Sequence, residues 1–137
     1  MALIRVALTK ILTEDIVLSL DVDTIVNENI SSLWNIDISD YYLAAAKQPT
    51  KCTDTYMDIN AGVMLLNLKK MREDGIDNKL IDYINTTYEV FPEQNAIGKL
   101  CQGYILPIPA DYNFNDSTDY QHAHSRKISH FAGVHEW

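Results

Sequence analysis

Val17-Leu18-Ser19-Leu20-Asp21-Val22-Asp23-Thr24-Ile25-Val26 is the stretch whose reading decides the fold. Its first half belongs to Ile16–Leu20, an apolar, partly β-branched run bounded by acids, which reads as a buried strand. Asp21-Val22-Asp23 then stands at the carboxyl end of that strand, where open α/β sheets collect their ligands. Two carboxylates one residue apart reach a single hard cation when the backbone bends between them. Mg²⁺ and Mn²⁺ favour such oxygen ligands and keep positions open for phosphate oxygens. A bare Asp-x-Asp more often just ends a strand in water. The hydrophobic segments on both sides weigh toward a site, because a solvated turn needs neither.

Outward from this point the chain alternates. Ile4 to Leu12 has apolar residues at helical spacing, and Asn27 to Trp34 reads as a helix entered from a cap. Tyr41 to Ala46 reads as strand or helix on propensity, with strand favoured because the run is short and ends at Pro49, and Gly62 to Asn67 reads as a strand. Leu68 to Arg72 and Asn78 to Tyr88 are amphipathic helices, the second with Leu80, Ile81, Ile84 and Tyr88 on one face. Pro92 opens a helix to Leu100. Tyr104 to Ile108 and Ile128 to Phe131 are the last strands. The alternation predicts an α/β sandwich with a mainly parallel central sheet, formed by residues 1–137 as one domain. No Gly-x-Gly-x-x-Gly follows a strand, so a dinucleotide-binding fold has no support.

The net charge of −8 argues against nucleic acid as a partner, since phosphate backbones call for clustered Lys and Arg. An acidic protein still binds an anionic nucleotide if a divalent cation neutralises the diphosphate. No stretch approaches the ~18 apolar residues that span a bilayer, and the N-terminus has no signal-peptide core or cleavage site. Cys52 and Cys101 have no partner pattern and read as reduced core thiols of a cytosolic protein, with one disulfide as the alternative.

Six blocks in order carry a family resemblance. Val17 to Val26 looks like the Asp-x-Asp strand of family 8 glycosyltransferases, the group holding glycogenin and bacterial lipooligosaccharide galactosyltransferases. Ile30-Ser31-Ser32-Leu33-Trp34 and Ile59 to Asn67 are similar to the family's following helix and its Asn-Ala-Gly block. Glu93-Gln94-Asn95 resembles its Asp-Gln-Asp motif, Tyr112-Asn113-Phe114 its Tyr-Asn segment, and Ile128 to Gly133 its His-x-x-Gly motif. Each block is weak alone; six in the family's order make a specific joint signal across nearly the whole chain.

The resemblance implies a GT-A-like fold of the nucleotide-diphospho-sugar transferase type, truncated at the N-terminus. It implies retaining, Mn²⁺-dependent (or Mg²⁺-dependent) transfer of a hexose from a UDP-sugar to a glycan or glycolipid, as in lipopolysaccharide biosynthesis. By that analogy Asp21, Asp23 and His130 ligate the metal, where a lone histidine would otherwise read as structural. Arg5, Val22 and Gly133 join them around the donor. Asn60 and Ala61 would hold sugar hydroxyls, by amide and main chain respectively, and Gly62 would let the backbone approach the sugar. Gln94 would lie under the anomeric carbon and Glu93 would orient a sugar, although a capping acid in a first helical turn reads nearly as well for Glu93. Acceptor contacts would fall in Lys47 to Asp58 and Asp116 to Ser125. The expected location is cytoplasmic, with peripheral contact at the inner membrane face, and homo-oligomers through an exposed sheet edge.

The chain departs from the pattern at several points. About twenty residues precede Asp21 where the family has a longer segment with the uridine pocket, and Leu3 replaces a common tyrosine. Glu93 and Asn95 replace the two acids of Asp-Gln-Asp, and Gly133-Val134-His135-Glu136-Trp137 lacks the family's diphosphate-contacting lysine. A catalytically inactive relative that binds a partner or sugar is therefore the alternative function.

Overall fold

The computed structural model describes residues 4–48, 57–115 and 125–132. Cys52, Gly133, His135, Glu136 and most of both expected acceptor loops lie outside them. The described elements are α1 (Ile4–Ile11), β1 (Ile16–Leu20), β2 (Thr24–Val26), α2 (Ser31–Trp34), β3 (Leu43–Lys47) and β4 (Ile59–Asn67). They continue with α3 (Leu68–Glu73), α4 (Ile76–Thr86), α5 (Pro92–Leu100), β5 (Ile105–Ile108), a 3₁₀ turn at Ala110–Asn113 and β6 (Ile128–His130).

The main sheet has the order β1-β4-β3-β5. β4 runs antiparallel to both β1 and β3, while β5 runs parallel to β3. Three of four strands therefore point the same way, and β4, reversed in the middle, makes the sheet mixed. All nine residues of β4 are buried, which its Val-Met-Leu-Leu run makes favourable. β2 and β6 form a separate two-stranded ribbon.

Each face of the sheet carries a core. One contains Met64, Leu66, Leu43 and Ala45 and packs against Val6 of α1, Leu80 of α4 and Ile97 of α5. The other contains Val63, Leu65, Ala44 and Ala46 and packs against Leu33, Ile38, Tyr112 and Ile128. Side-chain alternation along β4 breaks between these sets. Ala45 pairs with Met64, but the next residue, Ala46, pairs with Asn60, so Ala61, Gly62 and Val63 bulge out of the β3 ladder. Such bulges re-aim side chains beside sites, and this one lies level with the end of β1, where Leu20 pairs with Val63.

Two sequence expectations change. The helix expected from Asn27 shrinks to one turn, Ser31–Trp34. Asn27 is instead tied to the ribbon: its N–H donates to the Lys127 carbonyl (2.8 Å) and its Nδ2 to Ser129 Oγ (2.9 Å). Tyr88 lies beyond α4 and is 99% exposed rather than on its buried face. Cys101 is a buried free thiol, its pKa pushed up to about 12 by burial. Among the described residues no helix is long and apolar enough to cross a membrane.

Candidate functional site

Asp21 extends β1 by one step, its N–H donating to the Gly62 carbonyl (2.8 Å). The chain then turns. Thr24 donates to the Asp21 carbonyl through both its N–H (3.2 Å) and its Oγ1 (2.7 Å), leaving Val22 fully exposed between the acids. On the ribbon, Thr24 pairs with His130, the Phe131 N–H donates to the Asp23 carbonyl (2.9 Å), and the His130 N–H donates to the Phe114 carbonyl (2.8 Å). Main-chain bonds thus carry a buried histidine to the carboxyl end of β1.

His130 Nε2 lies 3.6 Å from Asp21 Oδ2 and 3.4 Å from Asp23 Oδ1. One ligand atom from each of the three residues falls within 4.8 Å of the others. Burial holds the His130 pKa below the ordinary imidazole value; Asp23 opposes this and Arg5 reinforces it. The ring is therefore neutral near pH 7, the form that ligates metals.

Arg5, on the first turn of α1, joins two of the predicted residues. Its guanidinium pairs with Asp21 Oδ1 through Nη2 and with Glu93 Oε2 through Nη1 (2.5 Å). Glu93 sits in the first turn of α5 and is 5% exposed; burial raises its pKa, with Arg5 pulling the other way. Its Oε1 is buried without a hydrogen-bond partner among the described residues. The next residue, Gln94, accepts the Ala61 N–H on Oε1 (2.9 Å). Arg5, Asp21, Ala61, Glu93 and Gln94 line a cleft of about 210 Å³, and Val90 to Pro92 complete its wall.

Asn60, Ala61 and Gly62 each make contacts within the chain. The Asn60 amide turns inward: Oδ1 accepts from the Gly62 N–H (2.9 Å) and from Asn113 Nδ2 (2.9 Å), and Nδ2 donates to Gln48 (3.2 Å). The Ala61 N–H is taken by Gln94. A Cβ on Gly62 would overlap the Cε1, Nδ1 and Nε2 atoms of His130, so the close neighbour that this glycine admits is the imidazole ring. Asn113, 1% exposed, received no role from the sequence, yet its Oδ1 lies 2.8 Å from His130 Nδ1. The Tyr-Asn segment was the available signal, but nothing local in it shows which residue the amide reaches.

Comparison with known proteins bears on the family and the fold. Residues 1–135 match the model of glycosyl transferase family 8. A Haemophilus influenzae protein described as a glycosyltransferase is 34% identical over 114 residues, covering 69% of this chain and 33% of that protein. Glycosyltransferase GlyE of Streptococcus pneumoniae is 34% identical over 122 residues, covering 88% of this chain and 29% of its own. This chain thus spans about a third of the length of these relatives. The crystal structure of GlyE matches 97% of this chain and 37% of its own, with a TM-score of 0.78 and 30% identity. The galactosyltransferase LgtC, solved with donor and acceptor sugar analogues, matches 94% of this chain and 57% of its own, with a TM-score of 0.71 at 24% identity. These neighbours place the fold among GT-A-type glycosyltransferases. The chain belongs to glycosyl transferase family 8.

Proposed function

We propose that this domain transfers a hexose from a UDP-sugar to a glycan or glycolipid acceptor, retaining configuration at the anomeric carbon and using Mn²⁺ or Mg²⁺. The observation that supports this best is the convergence of Asp21, Asp23 and His130 Nε2 at the carboxyl end of β1. Two carboxylates facing an imidazole that burial keeps uncharged gain no ion-pair energy from it. A shared divalent cation accounts for that arrangement, and carboxylate oxygen with imidazole nitrogen suits Mn²⁺.

In this reading Asp21, Asp23 and His130 hold the cation, which when bound neutralises negative charge on the departing diphosphate. Arg5 fixes Asp21 by its Oδ1 and leaves Oδ2 toward His130. The unpartnered Glu93 Oε1 accepts a sugar hydroxyl, whose binding offsets the cost of a buried, unpaired oxygen. Gln94 is oriented by the Ala61 N–H. A carboxamide is a poor nucleophile, so Gln94 acts by its dipole on positive charge developing at the anomeric carbon. Val22, exposed between the two acids, is assigned to the donor, and Gly133, outside the described residues, is assigned there by the family resemblance alone.

The exposed apolar side chains Val22, Val90 and Phe91 near the cleft suit an acceptor with an apolar portion. A glycolipid of lipopolysaccharide type, met at the inner membrane face by a cytoplasmic enzyme, fits that surface. The outer edge of β1 is available for pairing with a second copy.

Thermal unfolding with Mn²⁺ and UDP tests the reading. Together they should raise the melting temperature more than either alone, by up to about 2.7 kcal/mol of stabilisation at a hundredfold excess over Kd. Asp21→Ala or Asp23→Ala should abolish both this shift and sugar-nucleotide turnover. No shift at millimolar ligand sinks the proposal, and a shift without turnover selects a sugar-binding, non-catalytic domain.

A further inference from the structure

The hydrogen bonds behind His130 have a direction that can be followed from a group whose polarity is not in doubt. The Gly62 main-chain N–H can only donate. It donates to one terminal atom of the Asn60 amide at 2.9 Å, so that atom is the oxygen, Oδ1. The Asn113 amide sends one terminal atom to that same oxygen (2.9 Å) and to the Asn60 main-chain carbonyl (3.2 Å). Two acceptors require a donor, so this atom is Asn113 Nδ2. The other terminus, Asn113 Oδ1, is then an acceptor, and it faces His130 Nδ1 at 2.8 Å. Oxygen brings no hydrogen to that contact, so the ring proton sits on Nδ1.

We infer that Asn113 is a positioning residue that fixes His130 as its Nδ1–H tautomer and thereby aims the Nε2 lone pair at Asp21 and Asp23. This rests on the metal reading above. With a proton held on Nδ1 by the Asn113 oxygen, Nε2 is the ring nitrogen left to ligate. Nε2 is the atom 3.6 Å from Asp21 Oδ2 and 3.4 Å from Asp23 Oδ1. Both distances exceed those of a charge-assisted N–H···O bond, so three potential ligand atoms converge with room for a shared cation. Both asparagines and the imidazole are buried, so water does not compete for these bonds. Asn60 takes part in this relay through Oδ1. Gly62 serves twice, its N–H starting the chain and its missing Cβ making room for the ring it orients.

Ring ¹⁵N shifts of metal-free protein read the tautomer directly, with a His130→Gln control assigning the signal among the four histidines. Wild type should show Nδ1–H at His130. Asn113→Ala removes the acceptor, and should lose that tautomer and bind Mn²⁺ about 10–100-fold more weakly, as loss of such an outer hydrogen bond does elsewhere. Asn113→Asp keeps an acceptor for Nδ1–H but cannot donate to Asn60, so it should retain the tautomer and most of the Mn²⁺ affinity. If Asn113 only held the fold, Asp would fail as badly as Ala, because both lose the two bonds to Asn60. An Nε2–H signal in wild type, or equal Mn²⁺ losses in the Ala and Asp variants, overturns the inference. Lack of Mn²⁺ binding by wild type overturns the metal reading alone, since the tautomer is read without metal.

Discussion

The two ends of β1 each border a cleft, and the larger cleft is the less reactive. At the amino end, Asp15, Asp37, Asn67 and Lys70 help to line about 410 Å³. Their polar groups serve local structure. Asn67 accepts the Lys70 N–H (3.0 Å) to cap α3 and donates to the Ile38 carbonyl (3.0 Å). Asp37 accepts the Ser39 N–H (2.9 Å), and Lys70 pairs with Asp74 (3.1 Å). At the carboxyl end the cleft is half that size, yet Glu93 brings to it a buried carboxylate oxygen without a partner among the described residues, and Asp21 on its wall also belongs to the group in which two acids face His130. Polar groups left unmatched by the chain, rather than volume, mark the end that a ligand completes.

The most severe way to break this contrast is Gly62→Ala. The added methyl meets the His130 ring, which has Asn113 behind it and the two aspartates before it. Overpacking should cost about 1–3 kcal/mol, read by urea unfolding, and the displaced ring should lose its response to Mn²⁺. Wild-type Mn²⁺ binding by Gly62→Ala would show that the site tolerates slack, and that the tight fit of ring on glycine is incidental.

How far the sequence reveals these features depends on the range of the interactions that make them. The limits of β1, Ile16–Leu20, and of α5, Pro92–Leu100, were legible because acids and a proline mark them locally. The acids and histidine were legible through motifs in order. β2 was not, and neither was the late start of α2, since β2 and Asn27 are both held by β6, about a hundred residues away. The bulge at Ala61–Val63 was hidden because β4 is buried on both faces, so no polar alternation records where its parity changes. The partners of Asn113 lie 53 and 17 positions away and those of Arg5 lie 16 and 88, separations at which spacing in the chain carries no information.

Asn95 shows the same limit and supplies a sharper test. The resemblance leads one to expect an acid there, but Asn95 Nδ2 donates to Glu89 Oε2 (2.9 Å). Tyr83 Oη (2.9 Å) and Lys99 Nζ (2.5 Å) donate to Glu89 Oε1. An acid at position 95 would face that carboxylate. Asn95→Asp should therefore lower the melting temperature at neutral pH, and Glu89→Gln in the same chain should restore much of it, since Gln can donate to Asp. Lys99, then Asn95 and Tyr83, hold the Glu89 pKa down at about 2, against an ordinary 4.5. A depressed folded-state value contributes stability that is full above pH 4.5 and lost as pH falls toward about 2. Glu89→Gln should remove that part of the acid dependence, and an unchanged acid profile would show the network to be idle. Because Glu89 holds the segment that brings Val90 and Phe91 to the cleft, ligand response should weaken less than in Gly62→Ala.

The smallest effect belongs to the amino end. Asp74→Ala removes the carboxylate that pairs with Lys70, on a surface where ion pairs contribute little. Lys70 keeps a second set of partners, its Nζ lying 5.6 Å from the Tyr42 ring centroid and 5.5 Å from that of Tyr104. The two rings stack at 4.8 Å, so the aromatic surface under the ammonium survives the substitution. The melting temperature should fall slightly, and the added shift from Mn²⁺ with UDP should equal that of wild type. β4 is the physical link between the two ends, running from Ala61 beside one cleft to Asn67 beside the other. A loss of ligand response in Asp74→Ala would mean that strain passes along this buried strand, and the two clefts would then have to be treated as one coupled unit.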